Sequence, residues 1–147
     1  MCLYANKKNP LEGKYPIKFD EKGYTTCWKV YQLIQHYNHK ALHPLYYACG
    51  GRVFAGNIKS KRGGHKGDLI KAGEHPFDIL DKGVVNEGIH VYTSVHAAIR
   101  EFSIKKCVIV PVRCHKNDLV AVDKDYCQAV FTQVFLDKID HDKAVKG

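Results

Sequence analysis

The chain lacks the features that announce the commoner chemistries. Its six cysteines, at 2, 27, 49, 107, 114 and 127, form no Cys-x-x-Cys pair, which excludes the usual zinc ribbon and thioredoxin-type centre. Long apolar runs are missing. Segments such as Cys107–Val112 fall far short of the ~20 residues that cross a bilayer, so no membrane partner is expected. The opening Met1-Cys2-Leu3-Tyr4-Ala5-Asn6-Lys7-Lys8 has no signal-peptide hydrophobic region, which places the expectation in the cytosol with thiols reduced. There is no Gly-x-x-x-x-Gly-Lys-Ser/Thr, so a P-loop NTPase is not indicated. Carboxylates are scarce before residue 74. Residues 1–72 carry 13 Lys/Arg against Glu12, Asp20, Glu21 and Asp68, a net of +9, while 73–147 balance 10 against 11, a net of −1.

What is present is a chain of 147 residues, 45% hydrophobic and 26% charged, the size and balance of one globular domain over 1–147. Its basic half raises the local concentration of anions such as nucleotides, nucleic acid or an acidic surface. The plain alternative is a solvated lysine-rich face. The charge is densest in Lys59-Ser60-Lys61-Arg62-Gly63-Gly64-His65-Lys66-Gly67, where glycines let backbone N–H groups approach a phosphate and the cations supply charge.

Residues 1–25 read as an extended arm, broken by Pro10, Gly13, Pro16 and Gly23. Thr26–Leu33 has strand composition, 34–44 a loop or short helix, and Gly50-Gly51 a hairpin signal. Residues 56–87 form a long basic, glycine-rich loop. Gly88–Tyr92 reads as a strand. A helix over about 94–104 follows, capped by Thr93 or Ser94 and striped by Val95, Ala98, Ile99 and Phe102. Cys107–Arg113 alternates with Val108, Val110 and Val112 on one face, Asp118–Val122 makes a short strand or bend, and Gln128–Leu136 reads as one strand. Residues 137–147 read as a charged, frayed tail. The expected class is α+β, an antiparallel sheet packed with that one helix. Cys27, Cys49, Cys107 and Cys127 sit in apolar segments as small core residues, and Cys114 and His115 project to opposite strand faces. His36-x-x-His39-x-x-x-His43 could share a helix face, but Asn38 and Pro44 break it, so no metal and no cofactor are expected.

Glu87-Gly88-Ile89-His90-Val91-Tyr92-Thr93, the helix with Ala97-Ala98, Val108-Ile109-Val110-Pro111-Val112 and Asn117-Asp118-Leu119-Val120-Ala121-Val122-Asp123-Lys124-Asp125-Tyr126 follow one another in an order that resembles a module of phage rIIB-like proteins. That module usually has proline where this chain has Asp123, and a basic strand where it has Ala129-Val130-Phe131. The likeness covers about residues 87–136. It implies a virus-encoded protein of the host cytoplasm and an approximate fold, and carries over no catalytic residue.

Lys59, Lys61, Arg62, His65, Lys66 and Arg52 are the candidate phosphate contacts. His90 and Tyr92, two apart on one strand face, are the candidate pocket floor. The resulting expectation is a viral binding protein that captures a small phosphorylated ligand without turning it over. With the phage resemblance, that ligand becomes a nucleotide immune signal, either a cyclic oligonucleotide or an ADP-ribose derivative. The alternatives are a nucleotide- or NAD-processing enzyme resembling ADP-ribosyltransferases, with Arg52, His90 or Tyr92 and Glu101 as its set, and a nucleic-acid-binding protein. The last is disfavoured because no strand interleaves aromatic and basic residues. Val130–Leu136 offers a strand for pairing in a homo-oligomer.

Overall fold

The computed structural model describes residues 3–5, 11, 17–44, 52–59, 84–85, 88–100, 107–123 and 127–146. Strands take up 57% of them and helices 19%. The α+β expectation is therefore corrected: the architecture is mostly antiparallel β-sheet, and the helix over 94–104 is not its partner layer. In chain order the strands are β1 (Leu3–Tyr4), β2 (Tyr24–His36), β3 (His39–Pro44), β4 (Gly56–Lys59), β5 (Val84–Val85), β6 (Ile89–Tyr92), β7 (Cys107–His115), β8 (Leu119–Val122), β9 (Gln128–Phe131) and β10 (Gln133–Leu136). The helices are α1 (Val95–Arg100) and α2 (Lys138–Lys146).

The long strand β2 organises the sheet. Threonine, tryptophan, valine and tyrosine suit a pleated surface, and its residues Tyr24–Gln32 pair antiparallel with β7 from His115 to Cys107. Its other edge is shared. Trp28 bridges Tyr92 of β6, whereas Tyr31–His36 pair with β3. Residues 34–44, expected as loop or helix, are thus a hairpin around Tyr37-Asn38, with Tyr37 at φ 49. The three spaced histidines lie on that hairpin and not on a helix. Among the described residues no three His, Cys, Asp or Glu side chains gather as a metal site.

The sheet order is β4-β10-β7-β2-β6-β9-β8, with β3 on β2. The single strand expected over 128–136 is broken at Thr132, whose N–H donates to the Asp118 carbonyl at 2.9 Å. Phe131 and Gln133 are at most ~7 Å apart along the chain, yet β9 and β10 are separated by three strands in the sheet. The sheet must therefore roll until its β10 side meets its β9 side. A bridge from Leu42 to Val53 ties β3 to the segment entering β4 in the same sense.

Rolling gives the sheet an inner and an outer face. Cys27, Tyr31, Leu42, Val110, Val112, Phe131, Val134 and Leu136 fill the inner face, each essentially without exposure. Ala144 and Val145 of α2 pack against that core, so the segment read as a frayed tail is a docked helix. Asp137 caps it by accepting the Ile139 N–H at 3.0 Å, the ordinary role of an aspartate before a helix. On the outer face α1 covers Val30, Tyr92 and Cys107 through Ala98. Ser94 caps α1, accepting the Ala97 N–H at 3.1 Å. The expected stripe is only partly used, because Val95 and Ile99 are exposed and the alanines sit against bulky strand residues. Leu3 of β1 closes over Val120 and Val130. No helix among the described residues is long and apolar enough to cross a membrane.

One charged side chain sits at the fork of β2. Lys29, half-buried on the inner-facing side between Cys27 and Tyr31, donates from Nζ to the His90 carbonyl at 2.9 Å and lies 5.6 Å from the Tyr31 ring centre. Burial pulls its pKa from 10.5 to about 8. The neighbouring thiol of Cys114 is pushed up, first by its hydrogen bond with Cys27 and then by burial.

Candidate functional site

The part of the outer face that α1 leaves uncovered lies at the other end of β2 and β7. Outward positions alternate along each strand, which brings Tyr24 opposite His115, and Thr26 and Phe135 each opposite Arg113. Asn57 pairs with Phe135, and Lys59 with Gln133. These strands, with the turn Lys116–Asp118, enclose an open cleft of about 300 Å³ lined by Tyr24, Asn57, Arg113, His115, Asn117, Asp118, Gln133, Val134 and Phe135.

Local backbone chemistry sets its floor. The Asp20 carboxylate accepts the N–H groups of Lys22 and Tyr24 at 2.9 and 2.8 Å, an Asx-type turn. Gly23 completes the turn at φ 87, with its carbonyl accepting the Lys116 N–H at 2.8 Å. A Cβ on Gly23 would lie 2.8 Å from His115 Nε2, so glycine is required both for the dihedral and for the approach. His115 Nε2 is 3.0 Å from the Lys22 carbonyl, and Nδ1 accepts the Asn117 N–H at 3.1 Å. The ring is therefore the neutral Nε2–H tautomer. With both nitrogens engaged by backbone, the ring is held in place as a wall of the cleft. Tyr24 meets it edge-on at 4.7 Å.

Arg113 is the central group. Its guanidinium lies 5.1 Å from the Tyr24 ring centre and 5.6 Å from that of Phe135, within the range of cation–π attraction. The two rings hold a cation that remains exposed on the cleft surface. Asp118 is the single acid in the lining among the described residues, and its Oδ1 is taken by Gln133 Nε2 at 3.2 Å and Thr132 Oγ1 at 3.4 Å. The arrangement offers flat apolar edges, one planar cation and several amides. That set can stack a planar ring and hydrogen-bond an anion or a carbonyl.

The residues expected from the sequence are dispersed. Lys59 is exposed on the outer side of β4 beside Gln133 and is the one that adjoins this cleft among the described residues. Lys61, Arg62, His65 and Lys66 lie outside the described residues. Arg52 is exposed, 3.4 Å from His39 Nε2 and stacked at 4.9 Å on Phe54. Tyr92 is buried under α1, and His90, with Nδ1 3.3 Å from the Gly88 carbonyl, is half-buried on the same strand. β4 and β6 are separated by β10, β7 and β2, so the structure does not place Lys59 over His90 and Tyr92. Arg52 likewise sits on the β3 side, apart from both. Tyr24, Arg113, His115 and Phe135 went unread. Their only sequence signal is polarity and aromaticity at outward positions of strands whose inward positions are Val, Cys and Leu.

No family model matches the chain, and no curated protein and no solved structure matches it. The likeness of residues 87–136 to the phage module rests on the residues quoted for it.

Proposed function

We propose that the protein binds, without transforming it, a nucleotide-type ligand, with a planar base and a phosphate, in the cleft of Tyr24, Arg113 and Phe135. The observation that carries this is the exposed guanidinium held between two aromatic rings at 5.1 and 5.6 Å. Arginine so placed presents a stacking plane and a fork of donors that matches phosphate oxygens. Lys59 on the neighbouring strand adds charge at the rim. Binding without turnover is supported by the lining itself. Among the described residues it contains no thiol or hydroxyl nucleophile besides the Tyr24 phenol, and its histidine is held by backbone at both nitrogens.

The narrower form, capture of a cyclic oligonucleotide or ADP-ribose derivative in an infected host cytoplasm, adds the phage resemblance to this geometry. Calorimetric titration with ATP, ADP-ribose and a cyclic dinucleotide tests the reading, followed by heating and recovery of the ligand. Binding with intact ligand, weakened about tenfold or more by Arg113→Gln through loss of a charged hydrogen bond, is the expected result. Recovery of a converted product, or affinity indifferent to Arg113→Gln, refutes it.

A further inference from the structure

We infer that the ligand is single-stranded nucleic acid, bound along a track that runs from the cleft to a second cation–aromatic pair at Arg52 and Phe54. This rests on the nucleotide reading and specifies its polymeric form. Three observations carry it.

The first is shape. Sites for single small ligands enclose most of the ligand surface, whereas this cleft is open. Its row of Tyr24, Arg113, Phe135 and Asn57 crosses four adjacent strands. Three interstrand gaps of ~4.8 Å make the row roughly 14 Å wide, more than one stacked base covers.

The second is a second platform within reach. Phe54 is 61% exposed and carries the Arg52 guanidinium 4.9 Å from its ring centre, with Arg52 steadied by His39 at 3.4 Å. Two residues separate Phe54 from Asn57, so their backbones are at most ~11 Å apart, and Asn57 pairs directly with Phe135 on the next strand, ~5 Å further. A mononucleotide occupies one of them, and a strand of a few nucleotides spans both.

The third is charge. From Lys22 to Gly67 the sequence has no Asp or Glu against eight Lys/Arg, and this stretch supplies β2, β3 and β4. Residues 52–59, which link the platforms, therefore bring no carboxylate of their own, and Asp118 of the cleft is engaged by Gln133 and Thr132. Aromatic faces interleaved with cations along an open groove are what sequence-tolerant single-strand binding needs.

Fluorescence anisotropy with labelled oligoadenylates of one, three, six and twelve nucleotides, at low and at moderate salt, tests the inference. Affinity should rise on the order of a hundredfold between one and six nucleotides and fall steeply with salt, as phosphate contacts release counterions. Phe54→Ala should lower six-mer affinity about fivefold or more, from a lost stack, and leave the mononucleotide unaffected. Phe135→Ala should weaken both. Equal affinity for one and twelve nucleotides, or a six-mer indifferent to Phe54→Ala, overturns the track and leaves the nucleotide reading standing. No binding at any length, together with none in the calorimetric titration, removes both.

Discussion

Replacing Lys29 by methionine should change the way stability depends on pH more than stability itself. Lys29 stands half-buried at the fork where β2 leaves β6 for β3, with Nζ 2.9 Å from the His90 carbonyl. Burial disfavours the ammonium and pulls the pKa from 10.5 to about 8. Each pH unit of such a difference is worth ~1.36 kcal/mol, so keeping the charge inside at neutral pH costs the fold at most roughly 3 kcal/mol. Between about 8 and 10.5 the unfolded chain binds the extra proton, so the parent gains stability as pH rises through that window. Allowing for the part of the side chain that water still reaches, the gain from pH 7 to pH 10 is about 2 kcal/mol. Lys29→Met keeps the apolar stem, abolishes the titration and leaves the His90 carbonyl without this donor, at a cost of ~1–3 kcal/mol. The variant should accordingly be close to the parent at pH 7 and about 2 kcal/mol less stable at pH 10. Urea denaturation of both proteins at each pH from 7 to 10 measures the difference directly, with the ionisation of other lysines and tyrosines common to both. A difference that stays constant across that range would show that Lys29 titrates as a surface lysine, and the burial argument would be wrong.

Three further outcomes test the packing. Phe131, with no exposure in the core, should cost about 3–5 kcal/mol on Phe131→Ala, read as a lower urea midpoint at unchanged m-value. The buried Tyr31 hydroxyl has no hydrogen-bond partner among the described residues, so Tyr31→Phe should be neutral or stabilising by up to ~1–2 kcal/mol; a loss of stability by the same titration would mean the hydroxyl is satisfied. Gly23→Ala forces a Cβ to 2.8 Å from His115 Nε2 at φ 87. It should destabilise by roughly 2–3 kcal/mol from the left-handed dihedral and the lost His115 bond together, with the His115 ring resonances shifted in NMR spectra.

The sequence patterns located β6 and β7 within a residue or two, because Ile89 and Val91 and then Val108, Val110 and Val112 alternate toward one face; Asp118–Val122, readable as a short strand or a bend, is β8 over Leu119–Val122. The opposite facing of Cys114 and His115 also followed from that period, and it is what places His115 in the cleft wall. The pattern ran out where the tertiary structure interrupts an apolar run without a local signal. Gln128–Leu136 has no glycine or proline to mark a break, yet it divides at Thr132 because the rolled sheet must close there and Asp118 supplies the bond. The hairpin of β2 and β3 was hidden by its polar, histidine-rich turn. The docking of α2 was hidden by its charge, since Ala144 and Val145 are the hydrophobic residues it packs against the core.

The candidate site divides along the same line. From sequence alone came the concentration of cations in the first half and the expectation that an anion is their partner, because charge is additive along a chain whatever its fold. The basic residues lack the interleaved aromatic pattern of an RNA-recognition strand, which is why nucleic acid looked the poorer ligand. Tyr24, Arg113 and Phe135 lie more than twenty residues apart at their closest spacing, and no one-dimensional pattern relates them. Pairing β7 with β10 sets Phe135 directly opposite Arg113, and pairing β7 with β2 sets Tyr24 one diagonal step from it, ~5 and ~7–8 Å away, so this cluster is assembled across the strands.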